Sequence, residues 1–257
     1  MLREDDARNP TVPFRYNGKV EQLRLNRQHA AVLCGGVVVL HEIEPPRGGS
    51  AQRRTFPDAD AGDDATVCAT ALALTKDVLV YGTQAGAVHF FAVDPESWAP
   101  LPGVELRHGS AIAALYPNAA GTRVAVVDAN RAGFVYNPVG SELTPIPAFP
   151  RDATSVLWDC VDRHVLLVSD GKELHTYAYA PQTVRGPVVA KLGPVDVDEA
   201  GGVTMTPKAT PVQQGLYPIC AADGTITCQV ATGSVTTIQC PLYAAPSGTR
   251  RDEARSG

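Results

Sequence analysis

Apolar residues along this chain alternate with polar ones or run in short blocks, and glycine- and aspartate-bearing turns separate the blocks. Nowhere does a 3.6-residue spacing persist for the length of a helix, so the pattern is that of strands. The clearest stretch runs from Asp77 to Asn137. Asp77-Val78-Leu79-Val80-Tyr81-Gly82 leads through Thr83-Gln84-Ala85-Gly86 to Ala87-Val88-His89-Phe90-Phe91, a predicted β-hairpin. The unit recurs as Thr122 to Asp128, a turn at Ala129-Asn130-Arg131-Ala132, and Gly133-Phe134-Val135-Tyr136-Asn137. Branched and aromatic side chains fill both hairpins because they suit a pleated, half-buried surface. Gly82, Gly86 and Gly133 fall at strand ends, where a positive φ costs glycine little.

The same unit can be traced through most of the chain. A first one comprises Val20–Leu25, His29–Cys34 and Val37–His41, with Arg54-Thr55-Phe56 as an outer strand inside the Pro/Gly/Asp-rich stretch 45–64. A second takes in Val67–Leu74, the first hairpin and Glu105-Leu106; a third has Ile112–Leu115, the second hairpin and Leu143–Ile146. The fourth is Ser155–Trp158, His164–Ser169 and Glu173–Ala178. The fifth is Val203–Met205, Tyr217–Ala221, Thr225–Gln229 and Val235–Ile238. The second strands end at Cys34, Gly82, Asp128, Ser169 and Ala221, at intervals of 48, 46, 41 and 52 residues. Four antiparallel strands in roughly 40–50 residues is the period of a propeller blade, and a β-sandwich has no reason to keep it. The expected fold is therefore all-β, a WD-repeat-like β-propeller with about five recognisable blades. Most propellers close with about six to eight blades, so a partial ring is expected. Residues 1–18 form a polar lead-in, 19–243 the blades and 244–257 a disordered tail.

Composition narrows the class without changing it. The 257 residues are 44% hydrophobic and 19% charged, ordinary for a globular protein, and no apolar run approaches membrane-spanning length. A net charge of −5 argues against a broad nucleic-acid-binding face. Met1-Leu2-Arg3-Glu4-Asp5-Asp6 is too charged for a secretory leader, which points to the cytosol. The cysteines, at 34, 68, 160, 220, 228 and 240, include no Cys-x-x-Cys pair, and they read as reduced, buried small hydrophobes.

Candidate chemistry is sparse. Phosphate-loop, nucleophile-elbow and His-Glu-x-x-His patterns do not occur. Asp58–Asp64 resembles a calcium loop only superficially, since Gly62 and Ala69 stand where that loop needs ligands. Histidines 29, 41, 89, 108, 164 and 175 are spread over the first four units. His108 precedes an inner strand and is expected to make a structural hydrogen bond, while Asp128 and Asp170 follow second strands and are expected to hold turn amides. Trp158-Asp159 mimics a WD dipeptide but ends a first strand, so Trp158 is expected to pack rather than to recognise a ligand. No catalytic, cofactor-binding or metal-ligating residue is proposed from the sequence, and no cofactor.

Several segments in order carry a more specific signal: Leu79–Thr83 with Gly86-Ala87-Val88, Tyr116-Pro117-Asn118 through Gly121-Thr122-Arg123, Gly133–Val139, Val156-Leu157-Trp158, Gly224–Gln229 and Thr232–Val235. Together they resemble the WD repeat-containing protein 19 (intraflagellar transport protein 144) family over roughly Lys19 to Ile238, within its second propeller. The resemblance implies a non-enzymatic scaffold segment of the intraflagellar transport A complex, acting in retrograde ciliary transport and cilium assembly. It implies other subunits of that complex and ciliary membrane-protein cargo adaptors as partners, and a location in cytoplasm, basal body and cilium or flagellum. It implies neither nucleic-acid binding nor a direct membrane span. It also implies that part of the propeller, and the long helical-repeat region of such subunits, lie outside this sequence. The 45–64 loop is one candidate contact. The competing readings are a propeller hydrolase or lyase with carboxylates or a metal in its channel, and a coat or adaptor subunit outside cilia.

Overall fold

A computed structural model describes residues 15–16, 18–43, 53–57, 68–93, 99–193, 195–197, 203–205 and 208–240. Most of the lead-in 1–18, the acidic stretch 58–64, most of the 45–64 loop and the tail 244–257 lie outside them. Among the described residues there is no helix, and the strands form a succession of antiparallel sheets, five of them propeller blades and one a two-stranded pair.

Blade 1 is β1 (Val20–Leu25), β2 (His29–Cys34), β3 (Val37–Glu42) and β4 (Arg53–Phe56), hydrogen-bonded in that order. Blade 2 repeats the order with β5 (Ala69–Leu74), β6 (Val78–Thr83), β7 (Ala87–Ala92) and β8 (Pro100–Arg107). Blade 3 has β9 (Ile112–Pro117), β10 (Val124–Asp128), β11 (Gly133–Asn137) and β12 (Glu142–Pro145). Blade 4 has β13 (Ser155–Trp158), β14 (Val165–Ser169), β15 (Glu173–Ala180) and β16 (Val188–Lys191). The expected strand order and the hairpin turns are found as read.

The fifth unit differs. β17 (Val195–Val197) and β18 (Val203–Met205) pair only with each other, whereas β19 (Thr210–Pro211) pairs with β15 along Glu173 and Leu174. Blade 5 is β20 (Leu216–Ala222), β21 (Thr225–Val230) and β22 (Val235–Gln239), three strands among the described residues. Val203–Met205 therefore does not open this blade. Three alternating residues satisfy a strand's backbone against any partner, and the partner within reach was Val195–Val197.

Burial explains the composition of the strands. The second strands of blades 1 to 4 are buried on both faces, as in β10 (Val-Ala-Val-Val-Asp, all buried) and β14 (Val-Leu-Leu-Val-Ser, all buried). Outer strands alternate, as in β16, because one face meets solvent. Along β14 the two faces divide: Leu166 and Val168 pack toward blade 3, Val165 and Leu167 toward blade 5. Each gap between blades is a hydrophobic cluster of this kind. Phe56 of blade 1 lies 4.4 Å (ring centroids) from Phe91 of blade 2, with Tyr81 stacked on Phe91 at 5.8 Å. Phe90 of blade 2 meets Tyr136 of blade 3, and Trp158 with Tyr177 and Tyr179 of blade 4 meets Ala125 and Val135 of blade 3.

Three polar groups in the gaps are paired across them. The Tyr136 hydroxyl donates to the Glu105 carbonyl of blade 2 (3.2 Å), and the Tyr177 hydroxyl to the Ala148 carbonyl behind blade 3 (3.1 Å). The Trp158 indole N–H donates to the Tyr116 carbonyl of β9 (2.8 Å). Trp158 is thus buried, as expected, and also ties two inner strands together.

Of the three strand-end glycines, only Gly86 takes a positive φ, +85°. A Cβ there would lie 2.1 Å from the His108 carbonyl oxygen. Gly82 is extended strand, and its reason is room: a Cβ would sit 2.5 Å from Cγ2 of Ile112 in blade 3. Gly133 likewise faces the Phe149 ring, at 2.3 Å. A positive φ at one of Gly82 and Gly86 is what the hairpin requires, and Gly86 supplies it; at Gly82 and Gly133 the constraint comes instead from a neighbour distant in sequence.

Apolar clusters join blades 1 and 2, 2 and 3, 3 and 4, and 4 and 5; among the described residues none joins 5 to 1. The outer faces of the end blades are correspondingly bare. Leu23 and Leu25 of β1 are 49% and 61% exposed, and Tyr217 and Ile219 of β20 are 59% and 50% exposed. Among the described residues the blades form an arc whose two end faces carry exposed apolar side chains.

Two results are expected. Gly86→Val should cost roughly 2–5 kcal/mol through strain and a backbone clash, and Gly82→Val about 1–3 kcal/mol through overpacking on Ile112; melting curves that match the parent would contradict these roles. The chain expressed alone should self-associate and bind a dye for apolar surface, and Leu25→Lys with Ile219→Lys should reduce both. A dye-silent monomer at all concentrations would show the end faces to be covered.

Candidate functional site

In blades 3 and 4 the turns that join second to third strands are built by carboxylates. Asp128, buried at the end of β10, accepts the Ala132 amide on Oδ1 (2.9 Å) and meets His108 Nε2 on Oδ2 (3.1 Å). His108 lies on the linker from blade 2 to blade 3, and its own amide donates to the Gly86 carbonyl (2.9 Å). The expected structural hydrogen bond of His108 is present, and it links the turn of blade 3 to the turn of blade 2. Burial by itself would raise the Asp128 pKa; the hydrogen bonds from His108, Ala132 and Asn130 outweigh it and hold the carboxyl below its ordinary value. Asp170 repeats the device in blade 4, accepting the amides of Lys172 (2.9 Å) and Glu173 (2.7 Å) and facing His175 Nε2 at 3.4 Å. Its pKa too is lowered, those bonds again exceeding the effect of burial.

Asp170, Glu173 and His175 bring ligand atoms within 4.8 Å of one another, the closest approach to a metal set among the described residues. Asp170 is already committed to the turn amides, so hairpin formation accounts for the group. The remaining histidines stay apart: His41 meets the Tyr16 hydroxyl (2.8 Å), and His89 stacks on Tyr81 at 4.9 Å.

What the turns do create is a cleft. Between the inner strands of blades 3 and 4 lies a space of about 910 Å³, bounded by Ala114 and Tyr116 of β9, Arg131 of the β10–β11 turn, and Arg151, Asp152 and Thr154 ahead of β13. Arg131 holds a φ of +63°, a left-handed conformation that costs a non-glycine residue about 1–2 kcal/mol. Asp128 sustains it, since its carbonyl accepts the Arg131 amide (3.0 Å) while its carboxylate caps Ala132. The exposed rim carries two guanidinium groups, Arg131 and Arg151, against one carboxylate, Asp152.

A second cleft, about 660 Å³, opens between the same two blades, lined by Arg123, Asn137, Val139, Glu142, Arg163 and Pro181 among others. Arg123 is engaged there, donating to Asn137 Oδ1 (2.9 Å) and lying over the Tyr179 ring, whereas Val139 stands 88% exposed. Neither cleft was legible in the sequence, because their walls come from different blades. Of the 45–64 loop named as a contact, the described part is β4 and Pro57, where Phe56 is core. The cysteines also divide unexpectedly. Cys34, Cys228 and Cys240 are buried, but Cys68, expected inside a strand from Val67, lies just before β5 and is exposed, and Cys160, beyond the end of β13, is exposed too.

The model of the WDR19 second β-propeller matches residues 3–241, nearly the whole chain. This chain belongs to that family. WD repeat-containing protein 19 of Mus musculus and that of Homo sapiens are each 30% identical over 228 residues, 87% of this chain. The chain spans 15% of the length of these relatives. Solved propellers share the architecture alone: Kluyveromyces lactis Hsv2 superposes with a TM-score of 0.57 at 14% identity, over 90% of this chain and 71% of that one. The Cps50 (Swd1) β-propeller domain of Myceliophteria thermophila gives 0.53 at 14% identity, over 88% and 72%. The WD-repeat propeller expected from the strand spacing, and the family expected from the ordered motifs, are both found.

The lowered carboxyls carry a pH signature. A depressed folded-state pKa gives stability that is present above the unfolded value near 3.9 and is lost as pH falls through the folded value. The parent should therefore lose melting temperature below about pH 4 more steeply than Asp128→Asn, which starts lower. Parallel curves for the two proteins would remove Asp128 from this role.

Proposed function

We propose that this chain is a non-enzymatic interaction segment of an intraflagellar transport A subunit, acting in retrograde ciliary transport and cilium assembly. The observation that supports the reading is the family match across residues 3–241. The proposed partners are other subunits of that complex and the adaptors of ciliary membrane-protein cargo, met in the cytoplasm, at the basal body and in the cilium.

The cleft between blades 3 and 4 supplies a docking place suited to such work. Its size accepts a few side chains of an extended segment, and its arginine-rich rim favours one that carries carboxylates. Side chains on turns held by Asp128 present a preorganised surface, which lowers the ordering cost of binding.

The test is affinity capture with the tagged chain from ciliated and unciliated cells, beside an Arg131→Glu/Arg151→Glu variant. The parent should retain transport subunits from ciliated cells, and the double reversal should weaken the contact about 10–100-fold, the equivalent of about 1.4–2.8 kcal/mol. Capture of a coat complex from both cell types alike would replace the ciliary reading with a non-ciliary one. Undiminished capture by the double variant would move the contact away from this cleft.

A further inference from the structure

Where blade 4 meets blade 5, two free thiols face each other. Cys160 Sγ lies 3.5 Å from Cys220 Sγ, although the residues are 60 positions apart. The backbone around them is held from both sides. Asp159 pairs with Ala221 in a parallel bridge, and the Cys160 amide donates to the Ala221 carbonyl at 2.8 Å. Asp159 Oδ1 accepts the amides of Val161 and Asp162, each at 2.7 Å, which fixes the turn that carries Cys160. Cys160 is exposed and Cys220 partly so, while Cys228 and Cys240 nearby in sequence are buried.

We infer that Cys160 and Cys220 form a modification site, a dithiol that a small disulfide of the glutathione type converts to a covalent staple between blades 4 and 5. A disulfide needs its sulfurs about 2.05 Å apart, and closure brings together two that start 3.5 Å apart on backbones already hydrogen-bonded to each other. In the first step Cys160, the accessible thiol, gives up its proton and attacks one sulfur of the small disulfide. A mixed disulfide forms, the small S–S bond breaks, and one small thiol leaves with the proton. In the second step Cys220 attacks the Cys160 sulfur and displaces the other small thiol. The two protein thiols are oxidised, and one small disulfide is reduced to two thiols.

The surroundings fit a staple better than a rapid peroxide sensor. Burial, then the adjacent Cys220 thiol and the Asp159 carboxylate, raise the Cys160 pKa, so little thiolate forms at neutral pH. The first exchange is accordingly slow; the second is intramolecular between sulfurs already in contact. The link spans the apolar seam of Val165, Leu167, Leu174, Ala221 and Ile226, and it would keep the three-stranded end blade against the arc.

The experiment treats the full chain with excess oxidised glutathione, followed by trypsin digestion without reduction, mass spectrometry and a melting curve. The peptide 152–163, which holds Cys160, should appear joined to the peptide from residue 209 that holds Cys220, with two hydrogens lost, and fragmentation should place the bond at Cys220. The oxidised chain should melt roughly 5–10 °C higher than the reduced one, and reduction should reverse the shift. Cys220→Ser should leave Cys160 as a lasting mixed disulfide with glutathione and no such shift. Exposed Cys68 is the internal control, expected to take only the mixed disulfide. A bond to Cys228 or Cys240, a parent chain that stops at the mixed disulfide, or a linked chain that melts no higher would each overturn the assignment.

Discussion

A blade in the middle of this arc cannot be stable alone, because its central strands are apolar on both faces. Leu166 and Val168 look one way from β14, Val165 and Leu167 the other, and all four are buried only because a blade stands on each side. Burying one such side chain contributes roughly 1.5–3 kcal/mol, so the stacking of blades supplies much of what offsets the entropy of ordering the strands. The same requirement is unmet at the ends, where Leu25 and Tyr217 stand largely in solvent. Among the described residues, stacking therefore both builds the arc and leaves apolar side chains exposed at its two ends.

The seams also dictate where polar atoms and small residues belong. A hydroxyl or indole N–H pushed into an apolar gap must find an acceptor, and Tyr136, Tyr177 and Trp158 each reach a carbonyl of the preceding blade region. Gly82 and Gly133 stand where neighbouring side chains come closest. Asp128 gathers the turn of its own blade and the linker from the previous one around a single buried carboxylate. Its hydrogen bonds also fix the conformation of Arg131, so a structural residue shapes the rim of the cleft.

Surface chemistry is found at the same seams. Both clefts open between blades 3 and 4, and the thiol pair sits where blade 4 meets blade 5. An interaction module needs a rigid frame that presents turns, and a stack of hydrogen-bonded sheets is such a frame. Partners that bind across a seam would contact two blades at once and so report on the stacking itself.

The sequence by itself determined the strands, the hairpin turns and the blade period, because these depend on alternation, β-propensity and turn residues within a few positions of one another. Asp223-Gly224 illustrates this: two successive positive φ values, +45° and +77°, make the tight turn that the dipeptide announces. Motif order carried the family as well, and the Asp128 and Asp170 turns were legible because a carboxylate two to four residues from the amides it caps is a local arrangement. Only the tertiary structure decided what depends on residues far apart in the chain. It set Gly82 against Ile112, gave the Trp158 N–H to Tyr116, paired Val203–Met205 with Val195–Val197 rather than with blade 5, and brought Cys160 to Cys220. Side-chain pattern records which face of a strand is apolar, not which neighbour covers it, and that choice is made when the blades stack.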